Sequence, residues 1–408
     1  MTSVQGILLK YVITGASGIQ GMSAMIYLLE QDDVEIVLAT DNYYLDRLKA
    51  RITRLDDPRI RYKQLDCTDE EAAAEAFKGY DGVVNCAHTP GSYVYTTRAA
   101  LRAGCDYIDM GAMGDEAEIF ALHEDFKAKG LTAITSMGTA PGLSNIMAVY
   151  CMNKLDTVES IDYKWGVVDV VPPEEHTRPL YWGYGLDGIM HLVTAPSLVY
   201  ENGELIHEEP RARPEVFNFK EPVGPQIIMG FPHPEPRHLS ESFPDKGIKH
   251  IMYRQAFDAD SERKYRFLRD LGLGNQREPI DVDGKEVIPF DVLKALLDNL
   301  PPEEKKPAHI ISEGNCVVQG WKDGQKVELT LMIRTSPDSN MHRRFTDKGA
   351  FGSYRTGVCG AMASLLLGRG QIEKKGVYRP EQCVPAELYI KEQAKVGMEI
   401  EETIKILY

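Results

Sequence analysis

Two side chains stand where proton chemistry is wanted, His88 and Asp109, each just after or at the end of an apolar run. Histidine titrates near neutrality, so His88 can move a proton on or off an amine or an attacking water. Asp109 can serve as acid or base, or pair with a substrate ammonium group. Each also has an ordinary reading: His88 as a loop histidine holding a structural hydrogen bond, Asp109 as a helix cap or ion-pair partner. The other stretch with chemical meaning is 11–21, YVITGASGIQG. An apolar run stops at Gly15, and Ile19, Met22, Met25, Ile26 and Leu29 then keep helical spacing. Gly15 permits a tight turn, and Gly18 lets backbone approach a diphosphate whose charge meets the first N–H groups of the helix. Gly21 lets helix and strand pack closely. Ser17 and Ile19 belong to the same cradle.

The spacing is GxxGxxG rather than GxGxxG, so its context matters. A second apolar run, 34–39, leads to Asp41, twenty positions past Gly21. An acid there accepts hydrogen bonds from ribose hydroxyls and repels a 2′-phosphate, which predicts NAD in preference to NADP. Asp66 follows a third strand and reads equally as a contact to the adenine edge or as a cap for the next helix. Asn85, Cys86 and Ala87 end a fourth strand, where small residues let backbone approach a nicotinamide ribose. A buried Cys86 is read as packing rather than as a reactive thiolate. After a sixth strand comes GTAPGLSN, in which Pro141 and Gly142 set a turn, Gly138 and Pro141 are expected to border the cofactor, and Ser144 and Asn145 can bond to cofactor or substrate.

The elements that must position these groups alternate, strand then helix, through residue 145. Such βα units imply right-handed crossovers and a parallel sheet, with ligands at the carboxyl ends of its strands. The pattern changes near residue 156. Alternating strands and an Asn202-Gly203 turn signal indicate a mixed, largely antiparallel region. The proline-rich stretch 208–236 reads as a structured loop. The expected fold class is α/β: a Rossmann-type parallel sheet domain over 1–150, an inserted α+β domain containing a largely antiparallel sheet over 151–345, and C-terminal helices over 346–408 that rejoin the first domain. In the insert, Arg178 is ranked first to hold a substrate carboxylate, with the aromatic group Tyr181, Trp182 and Tyr184 beside it.

The chain has 408 residues and a net charge of −15, from 46 basic and 61 acidic residues. An acidic surface argues against nucleic acid or an anionic membrane as the main partner. Seven scattered cysteines without a CxxC pair suit a reducing, cytoplasmic setting. No secretory signal or membrane-length apolar run is visible. No HExxH or clustered Cys/His pattern appears, so no metal is expected.

Several segments together resemble the saccharopine dehydrogenase (reductase) family, and lysine 6-dehydrogenases in particular. They are GASGIQG, the strand end 83–87, GTAPGLSNIMA (138–148), SLVYENG (197–203) and LLGRGQIEKKGVYRPEQCVP (366–385). The resemblance implies NAD(P)-linked oxidoreduction at a carbon–nitrogen bond of an amino acid or amine, and a homodimer. Oxidative deamination or imine reduction is the first expectation. Reductive condensation of an amine with a carbonyl compound, as in saccharopine or carboxynorspermidine formation, is the alternative. A catalytically idle NAD-binding sensor or assembly protein is a reading from another class. The chain departs from the lysine 6-dehydrogenase pattern at 112–114, which reads Ala-Met-Gly where a histidine is common.

Overall fold

A computed structural model describes residues 8–42, 45–52, 55–89, 91–111, 114–170, 180, 185–300, 310–335, 341–350 and 354–408. The chain divides into two compact units, Met1–Tyr150 with Asn340–Val396, and Cys151–Ser339 with Gly397–Tyr408.

The first unit opens with β1 (Leu9–Thr14), α1 (Ile19–Leu29), β2 (Val34–Asp41), α2 (Leu45–Ile52), β3 (Ile60–Gln64) and α3 (Glu70–Phe77). It continues with β4 (Gly82–Asn85), α4 (Ser92–Ala103), β5 (Asp106–Asp109), α5 (Glu116–Phe120), α6 (His123–Ala128), β6 (Thr132–Ile134) and α7 (Leu143–Met152). The second unit follows with β7 (Thr157–Asp169), α8 (Leu186–Thr194), β8 (Ser197–Glu201), β9 (Glu204–Glu208), β10 (Glu215–Asn218) and β11 (Pro225–Gly230). Then come α9 (Glu235–Ser242), β12 (His250–Gln255), α10 (Ala259–Asp270), the small hairpin β13 (Ile280–Val282) and β14 (Lys285–Val287), and α11 (Pro289–Asp298). Two long strands, β15 (Ile310–Lys322) and β16 (Gln325–Thr335), complete this passage. The chain re-enters the first unit with α12 (Met341–Thr346), α13 (Tyr354–Gly368), β17 (Gly376–Tyr378), α14 (Pro380–Cys383) and α15 (Ala386–Lys395), and ends on β18 (Met398–Ile406).

The first sheet runs β17-β6-β5-β4-β1-β2-β3, every neighbouring pair parallel. The order reverses between β1 and β4, which makes that gap the topological switch point. Successive residues of β1 serve opposite faces. Val12 joins Leu38, Val83, Tyr107 and Ala133 in a core closed by Phe77, Leu101, Ile119 and Phe126. On the other face the Tyr11 hydroxyl donates to the carbonyl of Ser364 in α13, at 3.2 Å. Helix α13 lies hard against α1: a Cβ on Gly357 would sit 2.1 Å from the carbonyl oxygen of Gln20. The Gln20 side chain accepts from the N–H of Gly357 at 2.8 Å, so contact and hydrogen bond fix one alignment.

The second sheet is mixed. Its main path runs β10-β11-β12-β7-β15-β16-β18, with the β8–β9 hairpin paired to β12. Only β12 and β7 are parallel neighbours in it. Both long hairpins turn on residues with positive φ: Asn202 and Gly203 (48° and 100°), Asp323 and Gly324 (51° and 75°). These are the type I′ values that match strand twist. Helices α8, α10 and α11 pack around Met190, Val193, Tyr265, Phe290 and Leu293.

Three outcomes differ from the expectation. The stretch 208–236 holds β10, β11 and the start of α9 rather than loop alone. Proline hid these strands, yet Pro225 opens β11 and β10 is an edge strand, both positions where a missing N–H is tolerated. The span 346–408 is not all helix: β17 extends the parallel sheet beside β6, and β18 pairs along β16. Nor does all of it lie in the first unit, because β18 belongs to the second. The charged sequence MEIEETIKI alternates only weakly, and an edge strand exposed along most of its length has no need of a strong apolar face.

Gly357→Ala should lower the midpoint of thermal unfolding, with a loss of about 1–3 kcal/mol from overpacking against α1. An unchanged midpoint would mean that the two helices separate without cost.

Candidate functional site

The glycine turn is built for backbone proximity. Gly15 has φ +61°, and a Cβ there would lie 2.9 Å from the backbone N of Ala87 and from the carbonyl group of Cys86. Gly21 would place a Cβ 2.3 Å from the carbonyl oxygen of Gly15. The first turn of α1 carries no acidic residue, and Gly18 caps it without a side-chain hydrogen bond. The helix start thus presents backbone N–H groups with positive partial charge beside a cradle that any side chain would fill, and those are the features a dinucleotide diphosphate requires.

Asp41 ends β2 and is buried, and its Oδ2 accepts from both the N–H (3.1 Å) and the hydroxyl (2.5 Å) of Ser17. The acid therefore braces the glycine turn. Asp66 is exposed, and Oδ1 accepts from the N–H (2.9 Å) and hydroxyl (2.6 Å) of Thr68, which hold its pKa below the ordinary value. The cap of α3 is Asp69, whose carboxylate accepts from the N–H of Ala72.

Asn85 is fully buried and turned into the protein. Its carbonyl accepts from the Thr14 hydroxyl (2.6 Å) and the Ala87 N–H (3.1 Å), and its amide donates to the Tyr107 hydroxyl (3.0 Å) and the Ser92 carbonyl (3.3 Å). It ties β1, β4, β5 and α4 together. Burial pushes the Cys86 thiol well above its usual pKa, so it is no thiolate at neutral pH. His88 is exposed, and its Nδ1 lies 2.8 Å from the hydroxyl of Tyr93 on α4.

Asp109 is fully buried. Its Oδ1 accepts from the N–H groups of Ser136 (2.8 Å) and Gly111 (2.9 Å). Burial raises its pKa to about 6, against the opposing pull of the Ser136 N–H, the Thr135 hydroxyl and the Gly111 N–H. This carboxyl pins the ends of β5 and β6 from within.

The GTAPGLSN turn closes on itself: the Gly138 N–H donates to Pro141 O at 2.9 Å, and a Cβ on Gly142 (φ +123°) would lie 2.3 Å from Gly138 O. Asn145, fully buried, accepts from the Gly142 N–H (3.0 Å) and donates to Glu381 (3.0 Å). Sequence reasoning passed over its partner, and also Tyr93, Glu116 and Arg379. Arg379 pairs with Glu116 at 3.0 Å, and Glu116 accepts from the Ser136 hydroxyl at 3.3 Å. Thr139 and Thr356 lie 3.0 Å apart through their hydroxyls. The blocks GTAPGLSN and GVYRPEQ are thus two halves of one junction, a relation with no local signal in either. Arg178 and Tyr184, with Tyr181 and Trp182, fall outside the described residues, as do Ala112 and Met113. Among the described residues no cluster of His, Cys, Asp and Glu is suited to hold a metal, and no helix is long and apolar enough to cross a membrane.

The parallel sheet, its switch point and the glycine cradle define a nicotinamide-dinucleotide-binding unit joined to a mixed-sheet unit. Residues 11–134 match the domain described as "Saccharopine dehydrogenase NADP binding domain", and residues 138–398 match "Saccharopine dehydrogenase C-terminal domain". The chain belongs to the saccharopine dehydrogenase family. A carboxynorspermidine synthase of Vibrio alginolyticus is 29% identical over 285 residues, which cover 69% of this chain and 64% of that protein. A carboxyaminopropylagmatine dehydrogenase of Synechocystis is 23% identical over 407 residues, 97% of this chain and 98% of that protein. The chain thus spans less than two thirds of the Vibrio relative and nearly all of the Synechocystis one. In structure it is similar to an apo saccharopine dehydrogenase (L-Glu forming) from Saccharomyces cerevisiae, with a TM-score of 0.71, 15% identity, and 97% and 100% of the two chains covered. That likeness concerns the fold. The matched domain is named for NADP, which runs against the NAD preference read from Asp41. The Ser17 contacts supply a reason: that carboxylate is engaged in the turn and is not simply a reader of ribose.

Asp109 yields a prediction with a definite sign. Its folded-state pKa is raised, so its contribution to stability is complete at low pH and is lost as pH rises through about 6. Asp109→Asn, neutral throughout, should gain stability over wild type between pH ~4 and ~7, by on the order of 2–3 kcal/mol at the upper end. Urea unfolding across that range checks it. A difference independent of pH would assign the effect to packing.

Proposed function

We propose that this chain is a nicotinamide-dependent oxidoreductase acting at a carbon–nitrogen bond of an amine or amino acid, working as a reductive condensing enzyme. Its two matched domains together take in nearly the whole chain, and this is the observation that carries the reading. The relatives' names describe carboxylated polyamines, which supports a substrate bearing amine nitrogens and a carboxylate. An amine and a carbonyl compound would lose water to form an imine. A reduced nicotinamide, when bound, would supply hydride to the imine carbon, and the imine nitrogen would take a proton. Ile19 and the Gly15–Gly18 backbone would hold the diphosphate at the start of α1. His88, exposed beside that cradle, is the group proposed to carry the proton. Asp109 and Asn85 would keep the strand ends in place. Seven free thiols support a reducing, cytoplasmic compartment.

The test uses the purified chain with NADPH or NADH, a panel of di- and polyamines, and aldehydes or keto acids, following absorbance of the reduced nicotinamide. Oxidation that requires both amine and carbonyl compound is expected, faster with NADPH. Reduction of the oxidised cofactor by an amine alone would select oxidative deamination instead. Cofactor binding with no turnover of any pair would leave a sensor.

The cofactor has its own check. If Asp41 mainly braces Ser17, Asp41→Ala should weaken NADPH and NADH together, by about tenfold in Kd, the scale of one lost charged hydrogen bond. A variant that improves NADPH binding while losing NADH would restore Asp41 as the ribose reader.

A further inference from the structure

We propose that Tyr93 is the positioning residue of His88, holding its imidazole as the Nδ1–H tautomer so that Nε2 is the nitrogen that gains and loses the proton. This deepens the reading of His88 given above and rests on it.

Tyr93 does not lie by chance beside the histidine. The segment between them is pinned by Ser92, whose hydroxyl donates to the Ala87 carbonyl at 3.2 Å and accepts from the Thr89 N–H at 3.4 Å. Gly91 takes the left-handed conformation (φ +77°), which brings the chain directly into α4. The Tyr93 carbonyl then accepts from the Thr97 hydroxyl (2.6 Å) and the Tyr107 hydroxyl (3.3 Å). Tyr107 is itself held by Asn85, which bonds to Thr14 at the end of β1. A set of hydrogen bonds therefore runs from the strand end before the glycine turn to the backbone carbonyl of Tyr93, the residue whose phenol meets His88.

The 2.8 Å contact between Nδ1 and the phenol is compatible with either direction, since a protonated phenol can donate or accept, and the proposed direction is the one in which Nδ1–H donates. A phenol keeps its proton at pH values where imidazole titrates, because their ordinary pKa values differ by about three to four units. A proton carrier must cycle between imidazolium and neutral imidazole. With Nδ1–H donating to the Tyr93 oxygen in both charge states, Nε2 alone changes. The imidazolium then gives its Nε2 proton to the nitrogen being reduced and is left neutral with Nδ1–H intact. The rings meet edge to face, with centroids 6.1 Å apart and planes at 63°, and the nitrogen in contact with the phenol oxygen is Nδ1. In water, neutral histidine favours the opposite tautomer, with the proton on Nε2. The proposal thus predicts a state that a solvated loop histidine does not take up.

The experiment is a long-range ¹H–¹⁵N spectrum of the full chain labelled on histidine nitrogens, recorded above the His88 pKa, with His88 assigned by its loss in His88→Gln. Wild type should show His88 as Nδ1–H, and Tyr93→Phe should return it to Nε2–H. With an active amine and carbonyl pair, Tyr93→Phe should lower kcat by about tenfold while the Kd for reduced cofactor stays at the wild-type value. Finding Nε2–H in wild type overturns the proposal, as does a Tyr93→Phe variant with wild-type tautomer or wild-type kcat. Because the wild-type spectrum needs no turnover, a protein that fails every substrate pair refutes the enzymatic reading without deciding the tautomer.

Discussion

The structure of the first unit depends on one close approach, the backbone of the glycine turn against the backbone at the end of β4. No side chain separates them. Gly15 and Gly21 each occupy a place where a Cβ would come within 3 Å of other backbone atoms. The contact sits at the switch point, between the strands where the sheet order reverses. Two consequences follow from it. The start of α1, capped by no side chain, is held beside the loop after β4, and at this contact backbone meets backbone. An acidic protein can accept an anionic cofactor there because oriented N–H groups act locally, whereas net charge is screened over about a Debye length.

Holding backbone that close requires buried polar groups to be satisfied, since an orphaned one costs more than a typical hydrogen bond gains. Asn85 and Asn145 meet this demand with bonds to backbone and to distant side chains, whereas Asp109 meets it through Oδ1 alone and keeps Oδ2 buried without a hydrogen-bond partner among the described residues. Residues with the chemistry of ligand contacts are thus used as joints. The C-terminal return belongs to the same economy of polar groups. Glu381 and Arg379 arrive with β17 and α14 to satisfy Asn145 and Glu116, with Arg379 and its partner both largely buried. Such a pair contributes more to a single alignment than to net stability, because desolvation offsets much of its attraction.

Much of this was legible in the chain itself. The strand–glycine–helix opening, the parallel βα series to residue 145, the Asn-Gly hairpin and the main helices of the second unit announce themselves through periodicity and turn chemistry. These are local properties: side-chain spacing of 2 or 3.6 and the left-handed freedom of glycine and asparagine act within a few residues. The strand–turn–helix order around Gly15, Gly18 and Gly21 is local in the same sense. Strands β10, β11, β17 and β18 were not legible in this way, because short or edge strands owe their existence to a neighbour and carry little pattern of their own.

What only the tertiary structure decided is the task of each polar residue near the crevice. From sequence, Asp41, Asn85, Asp109 and Asn145 were all plausible ligand contacts, since each stands at or just past a strand end. Their side chains turn inward because Ser17, Thr14, Ser136 and Glu381 lie within hydrogen-bonding reach, and those partners are 24, 71, 27 and 236 positions away along the chain. Residue type and order determined that a dinucleotide cradle would form and where its strand ends would be. Which polar groups near the strand ends turn inward and which stay exposed, as His88 does, depends on distant partners meeting in space, and spacing along a chain does not encode that.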